Sequence, residues 1–161
     1  MTHRRELPRI HDLFVYLCVD DAPAAIDFYS RVFGADETLR LQEPSGRVGH
    51  AELRIGPATV MLCDEHPELG IRSPRAFGGT GTALHLHVDD VDRLARRAVE
   101  AGAEVVREPT DYAHGERQCR IRDPFGHEWL LGHSIEDLSD EEIARRFQEE
   151  HEPGAGPSTG G

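Results

Sequence analysis

A chain of 161 residues is long enough for one domain with a real core, burying about 68–70% of the surface its unfolded form exposes, and needs no second one. Its formal charge of −12, from 18 basic and 30 acidic residues, opposes phosphate backbones and anionic lipid heads, so neither nucleic acid nor a membrane is an expected partner. Three cysteines without framework spacing fit a reducing compartment, and MTHRRELPRI has charge but no apolar run after it; the chain therefore reads as cytoplasmic, without signal peptide or anchor.

After an N-terminal arm, residues 1–11, the segment 13–19 alternates bulky β-branched and aromatic residues and predicts a half-buried strand. Asp20-Asp21 then supply an N-cap, Pro23 sits in a first turn, and Ala25, Ile26, Tyr29, Val32 and Phe33 form one helical stripe that Gly34 closes. Strand-like runs follow at 37–42, 48–55 and 58–63. The same order then returns. LFVYLCVDD at 13–21 reappears as TALHLHVDD at 82–90, with a stripe of Val91, Leu94, Ala95 and Ala98, a terminal Gly102, and strand-like runs at 104–108, 117–122 and 127–133. The repeat is too long for a solenoid unit. The expected fold is therefore α+β: two βαβββ modules in tandem, at 12–63 and 82–134, whose mixed sheets enclose a cavity. Residues 64–81 read as the connection between the modules. Ser139 and Glu142 form a capping box for a C-terminal helix within 135–152, and 153–161 reads as a disordered tail.

Strand parity then sorts the chemistry. If Leu84, Leu86 and Val88 lie under the helix, Ala83, His85 and His87 face the other way, as do Phe14, Tyr16 and Cys18 in the first copy. In HAELRIG, Ala51, Leu53 and Ile55 claim the helix side and send His50, Glu52 and Arg54 inward; in QCRIR, Cys119 and Ile121 are helix-facing and Gln118, Arg120 and Arg122 inward. Trp129 and Leu131 fall on the core parity. A carboxylate beside an imidazole fixes its tautomer and lets the pair move a proton near neutral pH. The candidate catalytic residues are thus Glu52, His50 and His85, with Tyr16, His87 and Arg120 orienting a ligand. The bland alternative is a solvated face, or a Glu52–Arg120 salt bridge. DPFG reads first as a tight turn, and Arg72 and Arg75 as solvated arginines of the connection that could also clamp an anionic group.

VDDAPAAIDFY, FGA, HAELRIG, LHLHVDDVD, AGAEV and RDPFGHEWLL, within residues 12–134, are similar to the glyoxalase I, bleomycin-resistance and extradiol dioxygenase group, the vicinal oxygen chelate superfamily. The resemblance is nearest to its PhnB-like branch, where HAELRIG, the SPR loop and DPFGHEW followed by the His133, Glu136 and Asp137 segment recur together. It implies a homodimer with a small-molecule cavity. In metal-dependent relatives the ligands come from the first and fourth strands of each module; here those positions fall on Phe14, Met61, Ala83 and Leu130, none of them suited to the family metals. No metal ligand and no cofactor is therefore assigned, and Phe14 and Met61 become apolar cavity wall. Three readings follow: a metal-independent isomerase or lyase acting by proton transfer on a small oxygenated metabolite; a protein that sequesters an antibiotic or natural product; and a metalloenzyme with a divalent ion shifted to His50, Glu52 and His85.

Overall fold

The computed structural model describes residues 8–151; the tail expected at 153–161 and the start of the N-terminal arm lie outside them. Eight strands and three helices follow one another as β1 (Val15–Val19), α1 (Ala22–Phe33), β2 (Asp36–Gln42), β3 (Val48–Ile55), β4 (Ala58–Asp64), β5 (Ala83–His87), α2 (Val91–Glu100), β6 (Glu104–Tyr112), β7 (Glu116–Arg122), β8 (Glu128–Ser134) and α3 (Asp140–Glu150). The strand order is β1-β4-β3-β2 in one sheet and β5-β8-β7-β6 in the other, with the β1–β4 and β5–β8 pairs parallel and the rest antiparallel. Both sheets are mixed, and the tandem βαβββ expectation holds.

The local signals act as their chemistry requires. The Asp21 carboxylate accepts the Ala24 N–H at 3.0 Å and Asp90 accepts that of Arg93 at 2.9 Å. Gly34 ends α1 at φ 68°, in the left-handed region where a Cβ is penalised. The capping box ahead of α3 is only half built: Ser139 accepts from the Glu142 N–H, but the Glu142 carboxylate turns to Arg145 and Arg146 instead of back to the cap. Among the described residues no helix is long and apolar enough to cross a membrane.

One core serves both modules, because α1 packs in two directions. Ala25, Ile26 and Val32 are buried with Ala51, Leu53 and Leu62 of the first sheet. Phe28, which the predicted stripe omitted, is buried too, since it meets Phe125 at 6.2 Å while Tyr29 and Phe33 meet Trp129 at 5.4 and 4.6 Å between ring centroids. Trp129 is fully buried, as its parity predicts. A single carboxylate fixes this joint. Asp123, 4% exposed, accepts the Tyr29 hydroxyl at 2.7 Å and the Trp129 indole N–H at 2.9 Å through Oδ2, and the Phe125 and His127 backbone N–H groups through Oδ1. Buried next to it, the Tyr29 phenol is pushed well above its ordinary value, first by desolvation and then by the Asp123 charge. Gly126, at φ 92°, lets the DPFG turn close with its N–H on the Asp123 carbonyl. Two further clasps cross the joint: the His127 ring donates from Nε2 to the Cys18 carbonyl at 2.9 Å, and Arg75 pairs with Asp20 at 2.9 Å while also donating to the Pro124 carbonyl. Arg75 thus fastens the connection to both modules.

Candidate functional site

The face of each sheet turned away from its helix is where the polar strand residues gather. In β3, Ala51, Leu53 and Ile55 are buried while His50 and Glu52 are half-buried on the opposite face. Register places Tyr16 beside Met61 and Met61 beside Glu52, so one row crosses β1, β4 and β3. Within it the side chains form a chain of hydrogen bonds: the Tyr16 hydroxyl lies 2.9 Å from His50 Nδ1, and His50 Nε2 lies 3.2 Å from Glu52 Oε1. An ionised carboxylate only accepts, so Nε2 carries the proton, and Nδ1 is left to accept from the tyrosine. Burial first, and then the neighbouring Cys63, raise the Tyr16 hydroxyl above its ordinary value, so at neutral pH it holds its proton and can donate it.

The remaining polar candidates lie on the second sheet. His85 and His87 alternate with the partly buried Leu84 and Leu86, and both are exposed. Arg120 faces the same way but pairs with Glu128 at 2.6 Å, which also binds Arg122 at 2.8 Å; the Glu52–Arg120 salt bridge does not form. Burial alone would raise the Glu128 carboxyl, yet the two guanidiniums outweigh it and hold the group below its ordinary range. Among the described residues no hydrogen bond or ion pair joins the Tyr16–His50–Glu52 group to His85, His87 or Arg120. Phe14 and His85 line a hollow of about 510 Å³ between the neighbouring ends of β1 and β5; Tyr16 lines another, of about 440 Å³, with Cys18, Cys63 and His66.

Sequence reasoning missed several residues of these faces. Glu116 shares the parity of Gln118 and Arg120, but the predicted strand began one residue after it; its carboxylate accepts from Gln118 at 2.7 Å and lies 3.9 Å from His87 Nε2. Gly132 leaves the surface bare where a Cβ would meet His85 Nε2 at 2.7 Å, so the imidazole can lie across the sheet. Tyr112 belongs to a β6 that runs past residue 108, where the strand was expected to end, and Arg107, inside the expected run, was assigned no face. His66, assigned to the connection, is buried with Nδ1 against the Asp64 carbonyl at 2.9 Å and Nε2 against Glu43 at 2.7 Å.

The His66–Glu43 contact has a pH signature. Glu43 raises the His66 imidazole above its ordinary 6.5, and His66 in turn lowers the Glu43 carboxyl below its ordinary 4.5. The histidine's share of stability is complete below 6.5 and fades as pH rises through its elevated folded value; the carboxylate's share is complete above 4.5 and fades as pH falls through its depressed one. In Glu43→Gln the His66 ring should titrate at lower pH than in the parent, read from its Hε1 resonance by NMR. An unchanged midpoint would show that the two side chains do not interact.

The four positions that hold metal in related proteins do not fit one here. Phe14 and Ala83 carry no donor, Leu130 none, and Met61 only a soft thioether. Among the described residues no three His, Cys, Asp or Glu side chains are grouped to hold an ion, and His85 stands on a different sheet from His50 and Glu52.

Residues 9–131 match the Glyoxalase/Bleomycin resistance protein/Dioxygenase superfamily. The chain is 45% identical over 131 residues to an uncharacterized protein of Mycobacterium tuberculosis, Rv0887c, covering 80% of this chain and 77% of that one. The crystal structure of TioX from Micromonospora sp. ML1 is similar at 31% identity and a TM-score of 0.58, over 80% of this chain and all of TioX. The fosfomycin resistance protein FosX from Mesorhizobium loti, at 21% identity, a TM-score of 0.62 and coverage of 85% and 100%, shares the fold. Tandem βαβββ modules, paired mixed sheets and a match spanning both copies converge on one assignment: the chain belongs to the Glyoxalase/Bleomycin resistance protein/Dioxygenase superfamily.

Proposed function

We propose that the protein is a cytoplasmic, PhnB-like member of its superfamily that performs a metal-independent proton transfer, an isomerisation or elimination, on a small oxygenated compound. The observation that carries this reading is the Tyr16–His50–Glu52 hydrogen-bond chain on an open sheet face. Glu52 holds the Nε2–H and offsets the charge when His50 Nδ1 takes a proton from a substrate carbon; Tyr16, its hydroxyl turned from Nδ1 to a substrate oxygen, gives that oxygen its proton and recovers one from the imidazolium Nδ1. His85 is the proton partner from the second sheet, with His87 and Arg120 as polar contacts and Phe14 and Met61 as wall. No lysine is present to form a Schiff base, because all 18 of the lysine and arginine positions are arginine. Three unpaired cysteines support the cytoplasmic placement.

The reading is tested in D2O with protein freed of metal by a chelator, following loss of α-proton signals from a panel of small hydroxy- and keto-compounds by NMR. Exchange that survives chelation is expected. Exchange abolished by chelation and restored by a divalent ion would overturn metal independence; saturable binding of a panel member without exchange would make this a sequestering protein instead.

The same reading makes the working unit a dimer. Tyr16 is 52% and Leu41 54% exposed, and Leu39 is exposed on the same face, which is apolar surface that a second copy would cover. Sedimentation equilibrium should give about twice the 18.0 kDa chain mass. A monomer at micromolar concentration would leave each face open and remove this part of the proposal.

A further inference from the structure

On the inward face of the second sheet the arginines and carboxylates are unevenly paired. Arg107 of β6 and Arg120 of β7 are direct register partners, so their side chains leave neighbouring strands on the same face. Like charges placed opposite one another in a ladder are destabilising. Glu128 could relieve this, but it is shared between Arg120 and Arg122; Glu104 reaches only Arg122, at 3.4 Å, and Glu116 is turned to Gln118 and His87. Three guanidiniums therefore divide two carboxylates, in a chain whose overall charge is −12.

Arg107 is also positioned without spending its donors. Its guanidinium carbon lies 5.6 Å from the centroid of the Tyr112 ring, and Tyr112 shares the inward face as the register partner of Glu116. Cation–π attraction at this distance holds the group without using any of its N–H donors. Among the described residues Arg107 has no carboxylate partner, and Arg120 commits only Nε to Glu128. What this pair matches is a planar or tetrahedral oxyanion, which accepts several N–H donors at once and removes the repulsion.

We infer that Arg107 and Arg120, with Tyr112 as the positioning residue, form an oxyanion subsite that takes a carboxylate or phosphoryl-type group of the ligand. The inference rests on the reading of the inward faces as the ligand surface, and it assigns the charge of the ligand's far end. Inorganic phosphate and, separately, acetate are titrated into the protein at constant ionic strength against chloride, following the arginine Nε–Hε resonances by NMR.

Saturable shifts of Arg107 and Arg120 are expected, with the dissociation constant raised at least tenfold in Arg107→Gln and unchanged in Arg93→Gln, which alters an exposed arginine of α2. A response to phosphate alone narrows the group to phosphoryl type, a response to acetate alone to carboxylate, and both support the site. Shifts that do not saturate for either ion, or Arg107→Gln binding within twofold of the parent, overturn it. Thermal melts keep the outcome independent of folding: relieved of its like-charged neighbour, Arg107→Gln should unfold in chloride no earlier than the parent. Failure here removes the subsite alone, because the exchange assay on Tyr16, His50 and Glu52 stands or falls without it.

Discussion

Asp123→Ala should destabilise the protein by about 4 kcal/mol or more, because four donors, three of them buried, lose their acceptor together and each unsatisfied buried group costs about 1–3 kcal/mol, though not additively. For a chain of this size that is a fall of roughly 8–16 °C in Tm. It is also a large part of the roughly 5–15 kcal/mol that holds a domain folded. The alternatives for the stranded groups are poor: Tyr29 and Trp129 are fully buried, out of reach of water, and the turn N–H groups are fixed by the geometry that Gly126 closes. Asp123→Asn should cost less, since Oδ1 still accepts from Phe125 and His127, but its amide N–H2 then faces the Trp129 indole N–H, donor against donor. Tyr29→Phe removes a single hydrogen bond and should cost about 1 kcal/mol. Urea denaturation of the three variants checks the order. An Asp123→Ala variant within about 1 kcal/mol of the parent would mean that the modules are held by packing alone.

That carboxylate shows where the sequence stops being legible. Much that neighbours along the chain govern could be read in advance: the Asp21 and Asp90 caps, the Gly34 stop, and the parity that buries Ala51, Leu53, Cys119 and Ile121 while turning His50, Glu52, His85 and His87 away. DPFG was legible as a turn for the same reason. That its aspartate would collect a tyrosine from α1 and a tryptophan from β8 depends on how two modules dock, and no local period encodes docking. The same limit decided the charge pairs. Parity placed Arg120 and Glu52 on inward faces correctly, but partner choice followed proximity within a sheet, so Arg120 went to Glu128 and Glu52 to His50. Glu116 was lost to a strand end, and Arg107, inside the expected run 104–108, to the register shifts on either side of it, which blur a period of two.

The relay on the first sheet supplies the larger functional effect. Glu52→Gln should lower the turnover number of the proton-exchange reaction by about 10² or more with little change in KM, because the loss falls on a charge that develops only as His50 is protonated. The glutamine is close in size but neutral, and its amide N–H2 can donate to Nε2, which favours the tautomer with the proton on Nδ1, where no lone pair is then left to take the substrate proton. His50→Gln should lose as much, and the double variant little more than either alone, the behaviour of residues that act as one unit. Tyr16 gives the relay a separate signature. Its hydroxyl is held above the ordinary 10.0, so activity should persist to alkaline pH and fall only where the phenol ionises and ceases to donate. In Tyr16→Phe that alkaline limb should vanish along with part of the rate. The partial exposure of His50 and Glu52 keeps stability out of the comparison, since surface substitutions of this kind usually stay within about 0.5 kcal/mol. Turnover by Glu52→Gln at the parent rate, with the fold intact, would reduce the carboxylate to a neighbour of His50 and leave the imidazole without the group that makes it a base.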